Sequence, residues 1–315
     1  MIQPLFLEGV FQERIWGGTA LKEQFGYKIP SDQTGECWAI SAHPNGSSIV
    51  KNGLFAGKSL IQLWEENREL FGGHPSKVFP LLTKILDAKS HLSVQVHPND
   101  EYAEKYENGD LGKTECWYII DCKEGSELVY GHNANSKEEL VTMLENGEWN
   151  QLLRRIPIKP GDFFYVPSGT IHALCEGTLV LETQQSSDTT YRVYDYDRTD
   201  GNGNKRELHW KKALDVSTVP HSDGELYLKT TMVPGAIITC FVKEKYFTVY
   251  KWEIQGEALF IQSQPFQLIS AIDGEGTVIV GGVTYPVRKG DHLLLPAGIG
   301  EFQFEGKLIL IVSHP

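Results

Sequence analysis

A twelve-residue pattern occurs twice in this 315-residue chain, and few folds accommodate it. Ile158-Lys159-Pro160-Gly161-Asp162-Phe163-Phe164-Tyr165-Val166-Pro167-Ser168-Gly169 is matched by Val287-Arg288-Lys289-Gly290-Asp291-His292-Leu293-Leu294-Leu295-Pro296-Ala297-Gly298. Each copy reads as a turn, a short apolar strand and a Pro-x-Gly turn, so two related folded units are expected. Between residues 47 and 196, β-type runs recur, among them Val78–Leu86, Leu92–Val96, Cys116–Asp121, Glu127–Tyr130, His172–Leu174, Leu179–Glu182 and Arg192–Tyr196. Turn signals such as Asn45-Gly46 and Asn52-Gly53 separate them, which is the pattern of a β-barrel or sandwich. Helical periodicity is confined to Ser59–Leu70, to Ser136–Leu153 behind a capping box, and to Glu207–Val216. The expected protein is mainly β, two barrels with a few covering α-helices: an N-terminal unit over residues 1–235 and a smaller one over 236–315.

Composition narrows the function. Hydrophobic content of 41% suits a globular protein, and no run approaches the ~20 apolar residues of a membrane span. The N-terminal residues lack a basic stretch followed by an apolar one, so no signal peptide is expected. Five cysteines without a CxxC pair read as reduced thiols, and a cytoplasmic location follows. A net charge of −12 without a Lys/Arg block argues against nucleic acid. A small anion remains acceptable, because one pocket can be positive on an acidic protein.

The chemistry concentrates in residues 91–117 and at His172. Strand alternation turns Gln95 and His97 to one face, with Val94 and Val96 on the other. Glu115 opens an otherwise apolar run after a polar excursion. His172 follows the first Pro-x-Gly turn, where it can face a barrel interior. The three side chains, two imidazoles and a carboxylate, suit Zn²⁺, with Fe²⁺ or Mn²⁺ as alternatives, and Gln95 is a fourth candidate ligand. In the second copy Glu301 stands where His172 does, and no upstream His–Glu pair accompanies it, so no metal site is expected there.

Gly161…Pro167-x-Gly169…His172 resembles the second motif of the cupin superfamily, whose barrels are jelly rolls, and the C-terminal copy resembles a degenerate cupin. Trp16-Gly17, Gly35-Glu36-Cys37-Trp38 with His43-Pro44, Leu92 to Pro98, Lys113-Thr114-Glu115, and Leu181-Glu182 through Ser187-Asp188 to Arg192 are similar to the type I mannose-6-phosphate isomerases in a short bacterial form. The resemblance implies a zinc ion on Gln95, His97, Glu115 and His172. It also implies interconversion of mannose 6-phosphate and fructose 6-phosphate. That reaction moves a proton between C1 and C2 through an enediol(ate), and a redox-inert cation with an open position suits it. Arg192 then clamps the phosphate or stabilises the enediolate, Lys113 binds substrate or shuttles a proton with its pKa lowered beside the zinc, and Glu182 is an acid/base candidate. Trp16, Trp38 and Trp117 read as core or pocket wall, and Cys116 and Cys175 as inert core thiols. Glu36, His43 and Ser93 are minor candidates for the pocket. The resemblance departs in TTYRVYDYDR around Arg192, where longer enzymes carry a small apolar stretch, and in a connection from Glu115 to His172 too short for their helical insertion. Two rival readings are a non-catalytic sugar-phosphate-binding cupin and an iron-dependent cupin oxygenase; turnover separates the first, and oxygen uptake the second.

Overall fold

The computed structural model describes residues 2–199 and 203–315, and it is mainly β. In the N-terminal unit a six-stranded sheet runs in the order Phe163–Val166, Glu115–Cys122, Thr178–Gln185, Leu81–Ala88, Thr34–Ile40, Val10–Gly18. A five-stranded sheet runs Leu153–Pro157, Glu127–His132, His172–Leu174, Val94–Val96, Tyr191–Tyr194. Neighbours in both are antiparallel. Val94 and Val96 are fully buried in one apolar cluster with Ala173, Tyr191 and Val193, and Gln95 between them is left for the other face. That alternation is the period-2 pattern of a strand with unlike sides.

The C-terminal unit is built on three strands of 14 residues each, Thr248–Ile261, Gln267–Val280 and Glu301–His314. Gly256 pairs with Gly306, and Gly306 with Gly276, so a row of glycines crosses the sheet. A Cβ on Gly276 would lie 2.0 Å from the Glu305 carbonyl oxygen, so the strands can come this close only without side chains. The chain's first strand, Leu5–Glu8, pairs with His292–Leu295, which ties the N-terminal residues into the C-terminal sheet. One core cluster holds Trp64, Phe71 and Phe79 together with Phe266, Leu294 and Ile311, so residues from both ends of the chain share apolar packing.

The helices differ from the periodicity in instructive ways. Ser136 caps its helix by accepting from the Glu139 amide at 3.1 Å, but the helix ends at Glu145, and a separate turn occupies Trp149–Leu152. Gly147, with φ +66°, sits in the left-handed region that closes helices and divides what the pattern reads as one segment. Ser59 opens Leu60–Glu66 with a capping box to Gln62, and a 3₁₀ turn over Arg68–Phe71 follows. The polar excursion after Pro98 is itself partly helical: Asp100–Tyr106 starts where Asn99 Oδ1 accepts from the Tyr102 amide at 2.9 Å, with Asp100 and Glu101 at its positive end. Replacing Ser136 by Ala should lower stability by about 1 kcal/mol, read from urea midpoints, because the cap bond is lost and its helix end frays.

Candidate metal centre

Two rows of side chains, one on each sheet of the N-terminal unit, enclose the site. On the five-stranded sheet, His172 is paired with Gln95, and Gln95 with Arg192. On the six-stranded sheet, Trp38 is paired with Lys84, Lys84 with Glu182, and Glu182 with Trp117. Register across antiparallel strands therefore brings together residues far apart in sequence. Glu115 lies one row further along, opposite Gln184 and Val166.

His97, Glu115 and His172 converge with one ligand atom each, all within 4.8 Å of one another, and all three are buried. Glu115 Oε2 is 3.5 Å from His97 Nε2, and Oε1 is 3.3 Å from His172 Nε2. The tautomers are fixed from behind. His97 Nδ1 donates to the Thr189 carbonyl at 2.9 Å, and His172 Nδ1 donates to the Thr170 carbonyl at 2.8 Å. Both Nε2 atoms then carry lone pairs. Burial, reinforced by the Lys113 charge, holds His97 well below its ordinary value and lowers His172 to about 3, so both rings are neutral at physiological pH. Glu115 Oε1 is buried without a hydrogen-bond partner. The His172 lone pair faces the unpartnered Glu115 Oε1, and the two repel unless a cation lies between them; with His97 Nε2 alongside, the residues present fit a divalent metal ion. Gln95 is beside them, its amide nitrogen 3.4 Å from His172 Nε2; as a ligand it would have to present its oxygen instead.

Lys113 reaches the same place. Its buried ammonium donates to Glu115 Oε2 and, at 2.9 Å, to His97 Nε2. Burial alone would lower its pKa, yet the Glu115 and Glu182 charges outweigh it and the net direction is upward. The expected lowering rests on a bound cation's charge; in the protein by itself the neighbouring carboxylates decide the direction.

Beside this cluster lies a cavity of about 420 Å³, whose lining does not include His97, Glu115 or His172 themselves. Gln95, Lys113 and Trp117 form the part of its wall nearest the metal ligands, and Arg192 and Glu182 also line it. Cations outnumber carboxylates there, with Arg14, Lys84, Lys113, Arg192 and Arg206 against Glu36, Glu182 and Asp188. An acidic protein thus carries one locally positive pocket. Asp195, near Arg192 in the chain, is gripped by Arg198 and Arg206, and Asp197 by Lys205. Arg192 Nε is buried without a partner. Glu182 is held by Trp117 Nε1 at 2.9 Å and has Lys84 Nζ 3.6 Å from its other oxygen; burial, then the Glu115 charge, raises its pKa. Glu36 is fixed differently: its pKa is lowered because Lys84 and Arg14, with Trp38 donating at 2.5 Å, outweigh burial.

Trp16 and Ser93 also line the cavity, whereas His43 faces a separate depression with Pro44 and Trp64. Cys116 packs in the core, and burial raises its thiol well above the ordinary value; Cys175 is raised to about 11. The residue that sequence reasoning overlooked is Lys84. Its signal was present: a charged side chain inside Leu81–Ala88, an otherwise largely apolar strand, the same anomaly that marks Glu115. Arg14 and Arg206 carried no such signal, since they lie among ordinary polar residues.

Comparison with known proteins agrees with this geometry. Residues 5–145 match the phosphomannose isomerase type I catalytic domain, and residues 237–315 match the mannose-6-phosphate isomerase cupin domain. The chain is 58% identical to the mannose-6-phosphate isomerase ManA of Bacillus subtilis, over 99% of both proteins. It is 54% identical to the mannose-6-phosphate isomerase of Streptococcus mutans, over 100% of this chain and 99% of that one. A crystal structure of the Bacillus subtilis mannose 6-phosphate isomerase superposes with a TM-score of 0.98 at 60% identity, covering 99% of each chain.

Proposed function

The chain belongs to the type I mannose-6-phosphate isomerases, of cupin fold, and from that membership we propose that its positive cavity interconverts mannose 6-phosphate and fructose 6-phosphate beside one zinc ion. The observation that carries the metal half of this reading is the buried meeting of two neutral imidazole lone pairs with an unpartnered carboxylate oxygen. His97, Glu115 and His172 would hold the ion, with Gln95 as the fourth ligand. A bound Zn²⁺ supplies Lewis-acid stabilisation of developing oxygen charge without redox chemistry.

The remaining roles belong to side chains of the cavity. Glu182 is assigned the proton transfer between C1 and C2. Its raised pKa brings it toward the operating pH, where a carboxyl can both take and return a proton. Trp117 and Lys84 keep it oriented. Arg192, adjacent in register to Gln95 and free of an ion-pair partner at Nε, donates to the oxygens that gain charge in the enediolate. Lys113 holds Glu115 through its Oε2 and presents its charge to the sugar. Arg14 and Arg206, oriented by Glu36 and Asp195, are assigned the phosphate. A sugar phosphate is the small-molecule partner, and the described residues contain no helix able to span a membrane.

A coupled assay for fructose 6-phosphate, run on native, chelator-treated and zinc-restored protein, tests the metal. Activity should vanish on chelation and return with Zn²⁺; unchanged turnover in fully stripped protein would refute the ion's role. Arg192→Ala should keep metal content unchanged and lower kcat by roughly 10²–10³-fold, the scale for loss of one oxyanion donor. A rise in KM at unchanged kcat would instead move Arg192 to the phosphate end.

A further inference from the structure

The stretch between His97 and Glu115 folds into the helix Asp100–Tyr106 and a turn, and neither supplies one of the three ligands. It supplies a carboxylate aimed at the loop behind His97. Asn108 and Gly109, both left-handed at φ 57° and 84°, reverse the chain after the helix, and the Asp110 amide closes the turn on the Glu107 carbonyl at 3.1 Å. Asp110 Oδ2 then accepts from Ser187 Oγ at 3.0 Å and from Thr189 Oγ1 at 2.8 Å. Ser187 Oγ in turn accepts from the Thr189 amide at 3.3 Å, so the amide and the hydroxyl of Thr189 are both tied to one carboxylate oxygen.

Residues 187–190 lie between the strands Thr178–Gln185 and Tyr191–Tyr194 and belong to neither. With no sheet ladder to direct it, the Thr189 carbonyl points where these side-chain bonds hold it. That carbonyl accepts from His97 Nδ1 at 2.9 Å, which leaves Nε2 with the lone pair on the side of Glu115. A ligand histidine that loses such a partner is free to turn or to carry its proton on the wrong nitrogen, and it binds a cation less well. Two links of 2.8 and 2.9 Å thus join the Asp110 carboxylate to the His97 ring through one threonine. Glu107, at the start of the same turn, accepts from Tyr191 Oη at 2.6 Å and so holds the loop on its far side. Asp110 itself does not line the cavity beside the ligands; it borders the separate depression that contains His43.

We propose that Asp110 is a positioning residue for the metal centre, acting through Thr189 to fix the ring and the tautomer of His97. The inference rests on the reading of His97 as a metal ligand. It gives the helical excursion between His97 and Glu115 a role: the turn that ends it braces the imidazole from behind.

Competition of the zinc-loaded protein against a chelator of known affinity tests this, with circular dichroism and melting curves on each variant. Asp110→Ala should weaken zinc binding by roughly tenfold or more, the lower end of what losing an outer partner of a ligand histidine costs. A merely structural contact would lower the melting temperature and leave the zinc affinity where it is. Thr189→Val, which removes the hydroxyl and keeps the carbonyl, should weaken binding to a similar degree, and Thr189→Ser should restore it. The double variant Asp110→Ala/Thr189→Val should lose little more than either alone, because both break one chain of bonds. Should Asp110→Ala fail to fold, Thr189→Val and its serine rescue decide. Wild-type affinity in folded Asp110→Ala, no rescue by serine, or losses that simply add in the double variant would each overturn the proposal. Wild-type protein that takes up no zinc would sink the metal reading and this inference with it, whereas failure confined to the variants sinks Asp110 alone.

Discussion

His172→Ala is expected to abolish metal binding and isomerase activity together while leaving most of the fold intact. The imidazole is almost fully buried, and its Nδ1 is already committed to the Thr170 carbonyl, so its one free function is the lone pair at Nε2. Without it, two of the three close ligands remain, too few for a tetrahedral site. Several kcal/mol of stabilisation of developing oxygen charge disappear with the ion, so kcat/KM should fall by roughly 10³-fold or more. The fold should survive because the shared core around Trp64, Phe79 and Phe266 and the whole C-terminal sheet contain none of the ligands. Metal analysis by mass spectrometry, circular dichroism and the coupled assay on one sample decide the matter. A variant that stays active with full metal content would remove His172 from the site, and His97→Ala is expected to behave alike.

Glu182→Gln separates catalysis from stability. The amide keeps the size of the side chain but cannot take a proton, so kcat should fall by about 10²–10⁴-fold, the usual contribution of a general acid–base group. Stability should move the other way. Burial, with Glu115 second, raises the Glu182 pKa above 4.5 in the folded protein. A carboxyl raised on folding contributes stability that is fully present below its unfolded pKa and is lost as pH rises through the folded value. In metal-stripped protein the glutamine variant should therefore melt close to the wild type at low pH. Above pH ~4.5 it should gain on the wild type, with the gap growing until the folded carboxyl ionises. Melting curves across pH and initial rates give both readings. A wild-type rate would take the proton transfer away from Glu182, and a variant less stable at neutral pH would show that the Trp117 and Lys84 contacts outweigh the buried charge.

How much of this was legible beforehand differs between residues. The proposed metal ligands stand out in the sequence because each breaks a local rule. Gln95 and His97 share one face of a strand whose other face is valine, Glu115 interrupts an apolar run, and His172 follows a repeated turn. The type I isomerase motifs then joined these positions into one set. Lys84 broke the same rule and went unread, because its strand partner Glu182 is almost a hundred residues downstream and nothing local links them. The helix Asp100–Tyr106 was hidden for another reason: it presents only Ala103 to the core, so it has a cap but hardly any apolar stripe. The break at Asn146-Gly147 was a signal available in the sequence, outweighed by the apolar periodicity around it.

By itself the sequence determined the β-rich class and pointed to a repeated unit and a set of candidate ligand types, because period-2 alternation, turn residues and side-chain chemistry are local properties. The tertiary structure alone decided which positions face each other. Cross-strand register set Lys84 beside Glu182 and Arg192 beside Gln95. Register depends on how all strands of a sheet pack at once, and electrostatics follow from it: the same carboxyl group is raised at Glu182 and lowered at Glu36 according to the neighbours that packing supplies.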